Sequence, residues 1–232
     1  MEHRLVVTRD PAELARSAAD RVVTSALDSV ERSGRFDFAV SGGSTPWAMF
    51  AELAGTDMPW EATTIYQVDE RVAPADDPDR NLAHLSAALR GASASVVPMP
   101  VERPDLEDAA RDYGEEIPER FDLVHLGLGP DGHTASLVPG DPVLEVTDRP
   151  VALTTEAYQG RRRMTLTYPG LARARRLLWL VAGTPKAVPL LRLLDGDRSI
   201  PAGAVEAQES VVMADAAAAV EVARRWEMTS GT

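Results

Sequence analysis

Apolar and polar positions along this chain switch repeatedly between two periods. LVVTR (5–9) and FDFAV (36–40) are apolar runs of strand length. Between them Leu14, Ala18, Val22, Ala26 and Val30 recur at helical spacing, with Asp10 placed as a cap before Pro11. FDFAV leads through SGGSTP into the helical WAMFAELA. ATTIYQV (62–68) is a third strand, ending in DERVAP. The polar run ADDPDRN (75–81) reads as a loop that starts a helix at NLAHLSAAL. Residues 105–117 read as a polar amphipathic helix, and FDLVHLGLG (121–129) as a strand too apolar to have a wet face. The second half continues with RMTLT (163–167) as a strand, PGLARA as a short helix and RLLWLVAG (176–183) as a buried strand. TPKAVPLLRLL is a helix with Pro185 in its first turn and an irregular start at Pro189. SVVMAD is a last strand and AAAAVEVARRW a terminal helix.

Strands alternating with helices, several of them apolar on both faces, predict an α/β fold whose mostly parallel sheet has helices on both faces. No repeat or long linker divides the 232 residues. In such sheets ligands bind outside the carboxyl ends of the strands. The segments that follow strands are SGGSTP, DER, GLGPDGH and GTPK, and they hold most of the suggestive chemistry.

Composition narrows that chemistry. Hydrophobic residues make up 44% of the chain, enough for a substantial core. The absence of Cys removes disulfides, thiolate metal sites and a Cys nucleophile, and fits a reducing compartment. MEHRLVVTRDPAEL has no signal-peptide core and no run reaches membrane-spanning length, so a cytoplasmic protein without a membrane partner is expected. A formal net charge of −12 argues against nucleic acid as a partner. An anionic ligand must therefore meet cations gathered locally, and of the 24 basic residues only Lys186 is a lysine.

In SGGSTP, Gly42 and Gly43 let the backbone approach a ligand, free N–H groups at the helix start favour an anion, and Ser44 and Thr45 add hydroxyls. The same residues also suit an ordinary turn with Ser or Thr as N-cap. Gly127, Gly129 and Gly132 match G-x-G-x-x-G. However, Pro139-Gly140 interrupts the helix that a dinucleotide loop requires, and Asp131 would set a carboxylate beside a pyrophosphate. The turn reads instead as a support for His133. An imidazole, with an ordinary pKa of about 6.5, can be a neutral base at cytoplasmic pH, and Asp131 is placed to orient it. Asp69-Glu70-Arg71 offers two carboxylates and a guanidinium at a strand end, with a solvated turn as the plain alternative. Of Arg161, Arg162 and Arg163, the last is expected to face inward. Lys186 stands in the first turn of a helix, where a cation is disfavoured unless an anion is shared, so it points to a phosphate. The histidines show no metal-ligand spacing and no G-x-S-x-G elbow occurs, so neither metal nor cofactor is expected. What remains is His-assisted proton transfer on a phosphorylated small molecule.

In this order, SGGSTP, VDER with the later Asn81, LGLGPDGHTASLVPG, RRRMTLT and Gly183–Ala187 resemble the blocks of the 6-phosphogluconolactonase family, over nearly the whole chain. The resemblance implies a single Rossmann-like domain over residues 1–232, shared with glucosamine-6-phosphate deaminases and ribose-5-phosphate isomerases. It implies hydrolysis of 6-phospho-D-glucono-1,5-lactone in the oxidative pentose phosphate pathway, without a metal. On that reading His133 is the base, Asp131 orients it, Arg71 meets the oxyanion, and Asp69 positions water or binds hydroxyls. Gly42, Gly43, Ser44, Thr45, Arg163 and Lys186 hold the phosphate of a small sugar phosphate, in a monomer or small homo-oligomer. The deaminases follow D-G-H with an Ile-Ala-Phe-Asn-Glu-Pro-like segment. Here Thr134–Pro139 has no such Glu, which favours the lactonase, although Val138 stands where lactonases commonly have Phe. A non-catalytic sugar-phosphate sensor is the third reading.

Overall fold

A computed structural model describes residues 2–230; Met1, Gly231 and Thr232, the outermost positions of the expected domain, lie outside the described residues. Helix α1 (Pro11–Ser33) shows how local chemistry sets the elements. The Asp10 carboxylate accepts from the Glu13 N–H and Pro11 takes the first helical position. Gly34 closes the helix in the left-handed region (φ 73°), its N–H donating to the Val30 carbonyl. Strand β1 (Arg4–Thr8) precedes α1, and β2 (Phe36–Val40) follows it. The chain continues through α2 (Ser44–Leu53), β3 (Thr63–Gln67), β4 (Asp69–Arg71), α3 (Asn81–Ala88), β5 (Ser95–Val97), α4 (Leu106–Glu116) and β6 (Leu123–Gly127). It ends with β7 (Val151–Leu153), β8 (Arg163–Leu166), α5 (Tyr168–Leu171), β9 (Arg176–Val181), α6 (Ala187–Leu194), β10 (Glu209–Asp215) and α7 (Val220–Ser230).

Seven strands form one parallel sheet in the order β1-β10-β9-β6-β2-β3-β5. Alternate residues of each strand point to opposite faces. In β2, Phe36, Phe38 and Val40 pack with α1, α2 and α3 through Leu14, Val22, Phe50 and Leu85. In β9, Leu177, Trp179 and Val181 face the other way, in a core with Tyr113 of α4, Leu190 of α6 and Val222 of α7. Both faces of the central strands are covered, which is why β2, β6 and β9 are buried along nearly their whole length. This is the Rossmann-like, mostly parallel α/β fold that the sequence predicts.

Three expectations change. DER (69–71) is not a strand-end turn but β4, paired antiparallel with β8, and β7 pairs antiparallel with the other edge of β8. RMTLT therefore belongs to a separate three-stranded sheet and not to the parallel one. Residues 216–219 form a turn, so the terminal helix begins at Val220. β5 and β7 are three-residue strands, too short to carry a readable period.

His125 of β6 is fully buried. Its Nδ1 accepts from the Ser41 N–H at 3.4 Å and its Nε2 has no partner among the described residues. Burial pushes its pKa down to about 3. The unfolded chain takes up a proton at this imidazole near pH 6.5, whereas the folded chain refuses it until about pH 3. Between those values the unfolded state binds more protons, so acidification destabilises the fold by up to ~1.4 kcal/mol per pH unit from this residue. His125→Leu is expected to flatten the acid limb of the urea-unfolding free energy between pH 6.5 and pH 4. A limb of unchanged slope would contradict this.

Candidate active site

A cavity of about 560 Å³ opens outside the carboxyl ends of β2, β3, β6 and β9, where the topology predicts a ligand site. Gly42, Gly43, Ser44, Thr45, Asp69, Arg71, His133, Arg163 and Lys186 all line it. Asp131 stands behind His133 and contacts its ring.

The glycine loop is built for close approach. A Cβ on Gly42 would lie 2.0 Å from Asn81 Oδ1. The N-cap of α2 is Gly43 (φ 129°), and no side chain caps the helix. The ordinary Ser/Thr N-cap reading is thus incorrect: Ser44 and Thr45 lie in the first turn, and neither hydroxyl caps it. Asn81 ties this loop to β4, its Nδ2 donating to the Asp69 carbonyl at 2.9 Å and its Oδ1 accepting from Arg71 Nη1 at 3.5 Å. Arg71 also donates to the Asp79 carbonyl.

The adjacent carboxylates of β4 have different surroundings. Asp69 is buried at the cavity wall, and its Oδ2 accepts from Ser136 Oγ at 2.7 Å. Burial raises its pKa, opposed by the Ser136 hydrogen bond and by Arg163. Glu70 is fully buried and accepts from the N–H groups of Asn81 (2.9 Å) and Leu82 (2.8 Å), from Gln67 Nε2 (2.9 Å) and from the Arg71 N–H (2.7 Å). It is a cap for α3 supplied from another strand.

The turn after β6 presents His133. The Gly129 N–H donates to the His133 carbonyl (2.8 Å), Gly132 adopts φ 84°, and Thr134 Oγ1 donates to the Gly127 carbonyl (2.8 Å). Thr134 and Leu137 then close an isolated bridge, so no helix follows Gly132, in keeping with rejection of a dinucleotide loop. Asp131 Oδ1 accepts from the His133 N–H (3.1 Å) and lies 2.5 Å from His133 Nδ1. Burial raises the Asp131 pKa, but the hydrogen bonds from His133 outweigh it and the net shift is downward. With Nδ1 on Asp131, Nε2 is the ring nitrogen left for chemistry.

Of the three consecutive arginines, Arg163 faces the cavity as expected. Arg161 pairs with Asp77 (2.7 Å) and Arg162 Nε donates to the Thr154 carbonyl (3.0 Å). Arg163 is buried, and its Nε has no partner among the described residues. Burial lowers its pKa while Asp69 opposes the shift. Lys186 ends a single 3₁₀ turn (Thr184–Lys186) before α6, the irregular start that the two prolines predict. Burial lowers its pKa and nearby Asp131 raises it. Residues not singled out from sequence also line the cavity: Trp47 and His84, stacked at 5.7 Å, together with Ser136, Tyr158 and Gln159. Among the described residues no cluster of His, Asp and Glu could hold a metal ion, and no helix is long and apolar enough to cross a membrane.

The family model described as glucosamine-6-phosphate isomerases/6-phosphogluconolactonase matches residues 9–213. The GDH/6PGL endoplasmic bifunctional protein of Homo sapiens is 39% identical over 190 residues, which cover 75% of this chain. The chain spans only 24% of that relative's length, and the same share of its Oryctolagus cuniculus counterpart. The 6-phosphogluconolactonase of Synechocystis sp. is 37% identical over 179 residues, 71% of this chain and 74% of that protein. The crystal structure of 6-phosphogluconolactonase from Thermotoga maritima aligns with a TM-score of 0.84 at 25% identity, over 92% of this chain and 100% of that one.

Proposed function

Because the chain belongs to the glucosamine-6-phosphate isomerase/6-phosphogluconolactonase family, we propose that it hydrolyses 6-phospho-D-glucono-1,5-lactone to 6-phosphogluconate, a step of the oxidative pentose phosphate pathway. The observation that carries this reading is the cavity itself, which joins an imidazole backed by Asp131 to Arg71, Arg163 and Lys186. The 6-phosphate is held by the Gly42–Thr45 loop at the start of α2, with Arg163 and Lys186. His133 Nε2 takes a proton from a water whose oxygen attacks the lactone carbonyl carbon. Arg71 faces the resulting oxyanion. As the bond from that carbon to the ring oxygen breaks, Nε2 returns the proton to the departing oxygen. The new carboxylic acid then ionises, and that released proton is what an assay detects. Asp69 accepts a hydrogen bond from a sugar hydroxyl or from the water. An activated ester needs no covalent intermediate, so the lack of a serine elbow or cysteine is no obstacle. The absence of a Glu in Thr134–Pro139 favours this reaction over deamination. The reading includes a cytoplasmic location and a small sugar phosphate as partner, in a monomer or small homo-oligomer without nucleic acid or membrane, in keeping with the acidic net charge.

Freshly generated lactone supplied to the protein should release acid well above the spontaneous rate. Ammonia release from glucosamine 6-phosphate would instead identify a deaminase, and ligand-dependent stabilisation without turnover a sensor. Lys186→Ala is expected to raise KM for the phosphorylated lactone by about 10–100-fold, the loss of one charge-assisted hydrogen bond. Turnover of unphosphorylated gluconolactone should be unaffected. An equal loss on both substrates would contradict the phosphate role.

A further inference from the structure

Proton transfer at Nε2 requires the His133 ring to keep one orientation, and the backbone alone does not impose it. The residue follows a left-handed glycine and its side chain is 21% exposed. Two neighbours confine the ring. Gly129 lets backbone approach it, since a Cβ there would lie 2.0 Å from Nδ1. Tyr158 packs on it edge-on, with ring centroids 5.2 Å apart, planes at 63° and Oη 3.4 Å from Nδ1. The single proton on Nδ1 goes to Asp131 Oδ1 at 2.5 Å, a nearer and charged acceptor, and not to Tyr158 Oη at 3.4 Å. The ring of Tyr158, more than its hydroxyl, therefore acts on His133. Burial, and next the charge of Asp131, raise the Tyr158 pKa, so its hydroxyl stays protonated and is no base.

Tyr158 is in turn held by a constrained turn. Tyr158 and Arg161 exchange backbone hydrogen bonds (3.0 and 3.4 Å) around Gln159 (φ 54°) and Gly160 (φ 81°). Two positive φ values in a two-residue loop describe a turn that usually takes Asn-Gly, so Gln159 is strained in it. Arg163 offsets that strain. Its Nη2 donates to the Tyr158 carbonyl and to Gln159 Oε1, both at 3.3 Å, and its guanidinium lies 5.8 Å from the centroid of the Tyr158 ring.

We propose that Tyr158 is a positioning residue for His133: its ring, set by the 158–161 turn that Arg163 clamps, holds the imidazole with Nδ1 on Asp131 and Nε2 toward the cavity. The kinetic side of this proposal rests on the lactone-hydrolase reading; its spectroscopic side does not.

The test compares wild type, Tyr158→Phe and Tyr158→Ala by ¹⁵N NMR of the His133 ring nitrogens and by kcat and KM on the phosphorylated lactone. Wild type and Tyr158→Phe should both show the Nδ1–H tautomer, whereas Tyr158→Ala should show a mixture of tautomers. Tyr158→Ala should lose about 10–100-fold in kcat with KM within about 3-fold, and Tyr158→Phe should restore kcat to within about 3-fold of wild type. Wild-type tautomer and kcat in Tyr158→Ala would overturn the proposal. So would a Tyr158→Phe protein as impaired as Tyr158→Ala, since the hydroxyl would then be the working group. If the wild type does not hydrolyse the lactone, the hydrolase reading fails, and the tautomer comparison still decides the role of Tyr158.

Discussion

His133→Ala is expected to lower kcat on the phosphorylated lactone by about 10²–10⁴-fold, the usual contribution of a positioned general base, with little change in KM. The separation follows from the architecture. His133 comes from the turn after β6, whereas the proposed phosphate ligands come from the starts of α2 and α6 and from β8. Truncating the imidazole leaves those donors in place, so ground-state binding survives while the water loses its proton acceptor. Asp131 cannot take over, because it stands behind the imidazole and does not line the cavity where the water is deprotonated. His133→Asn should behave like His133→Ala. Rates are to be taken as acid release corrected for spontaneous hydrolysis, and full turnover by either variant would remove His133 from the base role.

How far the site was legible depended on whether each residue followed a parallel strand. Gly42–Thr45, His133 and Lys186 do, and an apolar run ending in Gly and polar residues marks such positions in sequence. The apolar strand that begins at Arg163 points its side chain inward, and it is buried on the cavity wall. That strand nevertheless belongs to the smaller antiparallel sheet: Arg163–Leu166 is buried on every side and so has the composition of a parallel strand. β4 was unreadable for a related reason: three residues cannot establish a period, and its pairing with β8 is a contact across more than ninety positions. Tyr158 and Gln159 carried no signal. Their turn is Gln-Gly where Asn-Gly would have announced it, and what holds the turn is Arg163, which a local pattern does not register. In the sequence Asn81 is marked only by the family resemblance. Its physical role, filling the space left by the missing Gly42 side chain, appears only once the two loops meet.

Glu70→Ala is expected to destabilise the protein by about 3–5 kcal/mol, more than any single truncation at the cavity wall. Adjacent strand residues point to opposite faces, so within β4 Asp69 and Glu70 do not share one task. Asp69 meets Ser136 at the cavity, and Glu70 meets the first turn of α3. Removing the Glu70 carboxylate leaves the Asn81 and Leu82 N–H groups and Gln67 Nε2 without their acceptor. It also removes one of the two carboxylates beside Arg80, whose guanidinium is almost wholly buried; the other, Glu102, is half exposed. The damage should reach the site as well, since Asn81 braces Gly42 and accepts from Arg71. Urea unfolding should show a lower midpoint at constant m, with a raised KM in the protein that remains folded. Asp69→Asn keeps the volume and one acceptor for Ser136, so it should leave the midpoint nearly unchanged while lowering kcat. If the two variants shifted the midpoint equally, the division of β4 into one structural and one catalytic carboxylate would be wrong.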